Sequence, residues 1–153
     1  MKQKKVEGLL REKLKDRGLK VTQQRLLVLS VLAQNSGSHM AAEEVYGQIQ
    51  KGYPEIGLAT VYRTLQLLQE MQLVDSIYLD DGCVRYEMGH LFEGEMKHSH
   101  HHLICRKCGK IIQFEDDLLE ELEVHIEKAT GFHVLDHELK FYGECKDCMG
   151  QGR

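Results

Sequence analysis

Tryptophan is absent from this chain, proline occurs once, at Pro54, and aromatic residues make up only 7% of it. One proline excludes collagen-like and proline-rich architectures, which need the ring at short intervals. No apolar run approaches the roughly 18–20 residues that cross a bilayer, so no membrane-spanning protein is expected. The start, Met1-Lys2-Gln3-Lys4-Lys5, is basic. No apolar stretch or small-residue cleavage site follows it, so no signal peptide is read and a cytoplasmic protein is expected. What is present is enough for a packed core: 42% of the 153 residues are hydrophobic and 29% charged, which suits one domain or two small ones.

The net charge of −4, with histidine neutral, is unevenly spread. Residues 1–84 hold 11 Lys and Arg against 10 Asp and Glu, whereas residues 85–153 hold 9 against 14. Residues 1–25 carry nine cations (Lys2, Lys4, Lys5, Arg11, Lys13, Lys15, Arg17, Lys20, Arg25) against three acids (Glu7, Glu12, Asp16). A basic segment on an acidic chain is an electrostatic footprint for phosphate. From charge alone, a solvated amphipathic helix is the simpler account.

Periodicity divides the chain in two. Val6, Leu9, Leu10 and Leu14 recur at helical spacing and Gly18 ends that segment. Thr22 is a suitable N-cap for a second helix carrying Leu26, Leu27, Leu29, Val31 and Leu32, stopped by Asn35-Ser36-Gly37-Ser38. A third helix is expected from Ala41 to about Lys51, with Val45 and Ile49 inward, and a fourth over about Leu58–Met71, with Val61, Leu65 and Leu68 inward. Strands Val74–Leu79 and Val84–Met88 flank Asp80-Asp81-Gly82, a hairpin turn by composition. Short helices followed by a hairpin describe a winged helix-turn-helix, whose last helix enters the major groove and whose hairpin is the wing. After a polar connection the second half reads as a His-rich stretch, His98–His102, leading into Leu103-Ile104-Cys105, a strand over Lys110–Phe114, a helix over Glu115–Thr130 with Leu118, Leu119, Leu122 and Ile126 inward, and a final strand over His133–Tyr142. The expected fold is therefore α+β: a winged-helix domain over 1–88, a hinge over 89–97, and a small α/β domain over 98–153.

Four of the five cysteines form Cys105-x2-Cys108 and Cys145-x2-Cys148. Two residues between thiolates let both sulfurs face one ion from a tight turn, and Zn²⁺ takes four such ligands as a tetrahedron. The 36 residues between the pairs are accounted for by a strand, a helix and a strand. Disulfides fit poorly in a reducing compartment. Cys83, on the hairpin, reads as a small hairpin residue.

His98-x-His100-His101-His102 is dense in imidazole. On an extended strand His100 and His102 share one face and His101 takes the other, so one strand can feed two sites. Candidate partners in the sequence are His39, Glu87, Glu120 and His137. Mixed imidazole and carboxylate ligation suits Fe²⁺, Mn²⁺, Zn²⁺ or Ni²⁺ without choosing among them; a solvated polar strand is the alternative.

The string Gly57-Leu58-Ala59-Thr60-Val61-Tyr62-Arg63-Thr64-Leu65, then Arg85-Tyr86-Glu87, then His100-His101-His102-Leu103-Ile104-Cys105-x2-Cys108-Gly109, and last Tyr142-Gly143-x-Cys145-x2-Cys148, closely resembles the ferric uptake regulator (Fur) family. The match runs in order from about Lys20 to Cys148. The resemblance implies a homodimeric, metal-activated transcriptional repressor that binds double-stranded operator DNA, and no enzyme. It places structural Zn²⁺ on Cys105, Cys108, Cys145 and Cys148, and a regulatory metal between the domains on His39, Glu87, His100 and His102. The acidic residue that usually completes the regulatory site is here Gln113, which binds through its amide oxygen, leaves room for water, or leaves four ligands. A further site maps onto His101, Glu120 and His137. For DNA, the resemblance implies Tyr62 and Arg63 on the groove-facing helix and Lys20 in the minor groove. The stripe of Val61, Leu65 and Leu68 independently sends Ala59, Thr60, Arg63 and Gln66 largely to the opposite face, where Arg63 reaches guanine or phosphate and a Tyr62 ring packs on a thymine methyl. The alternative for Tyr62 is a core aromatic.

Within the family, iron is the first expectation, with Mn²⁺ or Zn²⁺ as alternatives. A peroxide sensor usually has Asp where Glu87 and Gln113 stand, and a zinc-uptake regulator often recruits a cysteine, for which Cys83 is the candidate. A catalytic metal centre is the remaining class, but HExxH and the zinc-deaminase pattern are both missing. A metal-storage scaffold would show no sequence-selective DNA binding.

Overall fold

The computed structural model describes residues 2–89, 101–114, 119–135 and 137–150, with side chains from residue 4. The chain divides into two compact units, Met1–Gly94 and Glu95–Arg153.

The first unit holds four helices and a hairpin: α1 (Lys2–Asp16), α2 (Gln23–Gln34), α3 (Ala42–Gln50), α4 (Leu58–Glu70), β1 (Val74–Tyr78) and β2 (Val84–Met88). In α1, Val6, Leu10 and Leu14 stand four residues apart and form one buried stripe. Gly18, at φ +66°, turns the chain out of the helix, and the Leu19 amide donates to the Leu14 carbonyl at 2.8 Å. The Thr22 hydroxyl accepts from the Arg25 amide and caps α2. Helix α2 lies among α1, α3 and α4. Its buried residues are Val28, Leu29 and Leu32; Val28 is not among the residues read as carrying this helix, because a helix packed on several sides shows no single apolar stripe.

Helices α3 and α4 follow their patterns. Val45 and Ile49 are buried on α3, and Val61, Leu65 and Leu68 are fully buried on α4. The Ala41 amide donates to Glu44 Oε2 at 2.6 Å, satisfying a donor at the start of α3. At the other end of α4, Lys13 Nζ donates to the Met71 carbonyl at 3.1 Å and the Arg17 guanidinium to the Glu70 carbonyl at 2.9 Å. Two of the basic segment's cations thus complement the negative end of α4.

Strands β1 and β2 pair antiparallel from Val74↔Met88 to Tyr78↔Val84. In the turn Gly82 takes φ +77°, and Asp81 Oδ1 accepts from the Cys83 amide at 2.8 Å. Met40 adds a one-residue bridge to the far side of β2: its amide donates to the Tyr86 carbonyl at 2.9 Å, and the Tyr86 amide returns a bond at 2.8 Å.

The second unit holds β3 (His101–Cys105), β4 (Ile111–Phe114), α5 (Glu120–Thr130), β5 (Lys140–Gly143) and the one-turn α6 (Lys146–Met149). The sheet order is β4-β3-β5, with β3 antiparallel to β4 and parallel to β5. The strand expected over His133–Tyr142 is shorter and later: β5 forms where the chain lies beside His102–Cys105 of β3. The helix expected from Glu115 begins at Glu120 among the described residues; residues 115–118, including Leu118, lie outside them. Leu119 and Ile126 are half-buried, but Leu122, expected inward, is 50% exposed, and no residue of α5 is buried. Among the described residues the apolar face of α5 thus stays largely exposed.

Candidate metal centres and nucleic-acid interface

The parallel pairing of β3 and β5 sets Cys105 beside Gly143, so both CxxC turns leave the sheet at the same end. The four sulfurs of Cys105, Cys108, Cys145 and Cys148 all lie within 4.8 Å of one another. Cys108 Sγ is 3.7 Å from Cys145 Sγ. A Zn²⁺ tetrahedron with Zn–S bonds of ~2.3 Å has S···S edges of ~3.8 Å, so the donor set fits that ion. The Cys145 amide donates to Cys105 Sγ at 3.3 Å. That bond, with a second from the Cys108 amide, draws the Cys105 thiol down to about 6. Hydrogen bonds with the Cys108 and Cys145 sulfurs push Cys148 up to about 12. Around the knot Lys107 pairs with Glu144 and Lys110 with Asp147, each at 2.9 Å, linking the first cysteine turn to the second. These pairs are about half exposed, so water screens them and each adds little to stability.

In the first unit, His39 Nε2 lies 3.2 Å from Glu87 Oε2 with side-chain exposures of 3% and 7%. The Met40↔Tyr86 bridge explains the contact: in an antiparallel pair, the residue before Met40 faces the residue after Tyr86. An imidazole and a carboxylate buried side by side are donors of the two kinds that a mixed-ligand metal site uses.

In the second unit, His102 stands directly opposite Gln113 on β4, so the amide shares the imidazole's face. His101 faces the other way and is buried, with its ring centroid 5.3 Å from that of His137. His137 Nδ1 lies 2.6 Å from Glu123 Oε1. Glu120, the carboxylate expected there, is exposed at the start of α5. Glu123 follows it by three residues, nearly the same helical position, so spacing alone does not separate the two. His98 and His100 lie outside the described residues.

Helix α4 turns Ala59, Tyr62, Arg63 and Gln66 to solvent, while Thr60 is half-buried. Tyr62 is 38% exposed and is not a core aromatic; its hydroxyl donates to Glu43 Oε1 on α3 at 2.6 Å. Glu43 was not legible as a partner, because nothing in the sequence pairs positions 19 residues apart. Lys20 is exposed just before α2, and its carbonyl accepts from the Arg25 guanidinium. Cys83 is exposed on the hairpin.

The profile described as the ferric uptake regulator family matches residues 16–142. The ferric uptake regulation protein of Bacillus subtilis is 44% identical over 142 residues, 93% of each chain. The Helicobacter pylori ferric uptake regulator, described as having three functional metal-binding sites, superposes with a TM-score of 0.81 at 31% identity, covering 96% of this chain and 93% of that one. The Vibrio cholerae ferric uptake regulator gives a TM-score of 0.71 at 37% identity, over 88% of this chain and 98% of that one.

Proposed function

The chain belongs to the ferric uptake regulator family, and from that premise we propose that it is an iron-sensing repressor of metal-uptake genes whose operator binding depends on a divalent cation held by His39, Glu87, His100 and His102. The observation that carries this reading is the buried His39–Glu87 pair. Two ligand-type groups brought together inside a core, where a solvated ion pair gains nothing, suit a cation better than they suit packing.

His39 and Glu87 belong to the first unit, and His100 and His102 to the second. A bound cation supplies one Lewis-acid centre that accepts lone pairs from both sets. The bridge of Met40 to Tyr86 presents the imidazole and carboxylate of the first set together. Strand β3 presents His102, and Gln113 beside it offers an amide oxygen in place of a further carboxylate. Metal binding and duplex binding then favour the same arrangement of the units and strengthen each other, by typically ~1–3 kcal/mol.

The remaining roles follow the same reading. Cys105, Cys108, Cys145 and Cys148 hold a structural Zn²⁺ with no open position for substrate. His101 and His137, with Glu123 or Glu120, form a further site. Arg63 and Tyr62 read base edges, Ala59 and Thr60 admit close approach, and Lys20 contacts the backbone or minor groove. The exposed apolar residues of the second unit, Leu122, Val124 and Phe141 among them, support a homodimer, whose two α4 helices meet successive turns of duplex. We assign no catalysed reaction to the chain, and place it in the cytoplasm with the chromosome.

The test is a titration of duplex binding with Fe²⁺, Mn²⁺ and Zn²⁺ under anaerobic conditions, after metal analysis of the purified protein. Wild type is expected to bind a selected operator duplex only with added metal, Fe²⁺ acting at the lowest concentration. Replacing His39 and His102 with Ala, cysteines intact, removes the metal dependence; its survival overturns the reading.

A further inference from the structure

We propose that Glu43 is a positioning residue of the DNA-reading surface: from the first turn of α3, its carboxylate holds the Tyr62 phenol of α4 in one orientation before the duplex arrives. The inference rests on the reading of α4 as the recognition helix.

Tyr62 stands on the exposed face of α4 beside Ala59, Arg63 and Gln66. A ring in that position, with only its own helix to lean on, exchanges among staggered rotamers. Here its hydroxyl donates to Glu43 Oε1 at 2.6 Å, in the short range of a charge-assisted O–H···O bond. Helix α3 has two acids in its first turn, and they divide the work. Glu44 folds back to the Ala41 amide at 2.6 Å. Glu43 is thereby left to point outward along α4. It stays ionised there: the Tyr62 hydroxyl, the amide of its own backbone and the charge of Arg85 all hold its carboxyl below the ordinary range. The same bond raises the phenol of Tyr62 above its usual range.

The bond has two consequences for DNA. It commits the phenolic proton to protein, so that Tyr62 meets the groove as an ordered ring and a lone-pair acceptor. Ordering before binding removes a rotamer cost that would otherwise reduce affinity. It also places a fixed negative charge at the reading surface, which repels phosphates in any loose, non-specific approach. Both effects favour the correct duplex over an arbitrary one.

The test uses the full-length protein with saturating Mn²⁺, a duplex selected by the wild type from a randomised pool, and a scrambled duplex of the same composition. Glu43→Ala is expected to weaken binding to the selected duplex roughly three- to tenfold, the range of one lost hydrogen bond. Binding to the scrambled duplex stays equal or tightens. Glu43→Gln recovers most of the loss, because its amide oxygen still accepts the phenolic proton. In a Tyr62→Phe background Glu43→Ala causes no further loss. An equal loss in both backgrounds, or no loss on the selected duplex, overturns the proposal. Should Glu43→Ala fail to fold, Glu43→Asp, one methylene short of the phenol, is expected to give the same loss, and its absence overturns the proposal equally. If Tyr62→Ala leaves binding of the selected duplex intact, the recognition-helix reading fails instead, a distinct result.

Discussion

His39 and Glu87 face each other because their neighbours are bonded: Met40 and Tyr86 exchange backbone hydrogen bonds of 2.9 and 2.8 Å, and the next residues outward are the imidazole and the carboxylate, 3.2 Å apart. The local backbone therefore presets the pair. His39→Ala removes a partner from the buried Glu87 carboxylate and is expected to lower stability by about 1–3 kcal/mol, read by chemical denaturation of the metal-free protein. In duplex binding it shifts the activating metal concentration upward. A variant that unfolds earlier yet keeps the wild-type metal midpoint would show a purely structural pair.

Gly89 ends the hairpin in a space with no room for a side chain. A Cβ there would lie 2.9 Å from the Gln72 carbonyl oxygen and 3.0 Å from the Leu73 carbonyl carbon, both rigid backbone. Gly89→Ala is expected to destabilise the first unit by about 1–3 kcal/mol, the usual range for overpacking. A thermal scan checks it, and an unchanged Tm would mean that the strand end shifts freely.

The basic residues of the first segment should separate in a salt titration. Lys20 is exposed just before α2, whereas Lys13 is bonded to the end of α4. Lys20→Ala is expected to reduce the slope of log affinity against log salt by ~1. Lys13→Met leaves that slope alone and lowers stability by about 0.5–1.5 kcal/mol through the lost bond to the Met71 carbonyl. Equal slopes for the two variants would return Lys13 to the DNA contacts.

The sequence was most legible where one physical rule acts alone. Val61, Leu65 and Leu68 define α4 because only one of its faces is buried, and Asp80-Asp81-Gly82 defines the turn because Gly82 alone must take positive φ. Cysteine spacing was enough to expect the four clustered sulfurs, since two tight turns leave few ways to place them. Val28 escaped because α2 is packed on several sides. The length of β5 escaped because it depends on where β3 lies beside it. Leu122 was expected inward on a correct reading of amphipathicity, but periodicity does not say whether its own chain or a second copy covers the face. Glu43 and Glu123 escaped for a related reason: each is one of several neighbouring acids in the first turn of a helix, and only tertiary geometry picks the one that meets Tyr62 or His137.

The second unit is expected to depend on an ion held by the four cysteines. Among the described residues of that unit only Ile104, Cys105, Cys145 and His101 are buried, too little apolar surface to offset chain entropy without a cross-link. Removing zinc with a strong chelator at neutral pH is therefore expected to unfold residues beyond about 100 and to dissociate the dimer, while the helical first unit keeps most of its far-ultraviolet signal. Proton counting gives a sharper check. Ligation requires thiolates, so zinc displaces protons from thiols that still carry them. In the folded arrangement Cys105, drawn down to about 6, has already ionised at pH 7.5, whereas Cys148, pushed up to about 12, has not. The depressed Cys105 therefore favours the folded arrangement above the ordinary thiol range and loses that contribution as pH falls through 6, while the raised Cys148 works the opposite way and loses its contribution as pH climbs toward 12. If zinc adds to a preformed knot, calorimetry in buffers of different ionisation enthalpy should find a release near pH 7.5 that falls short of the unfolded value by the proton Cys105 has already given up. If it adds to an unfolded unit whose thiols all titrate normally, release approaches about four. The larger release, together with lost sheet structure in the zinc-free protein, would place metal binding and folding of this unit in a single step.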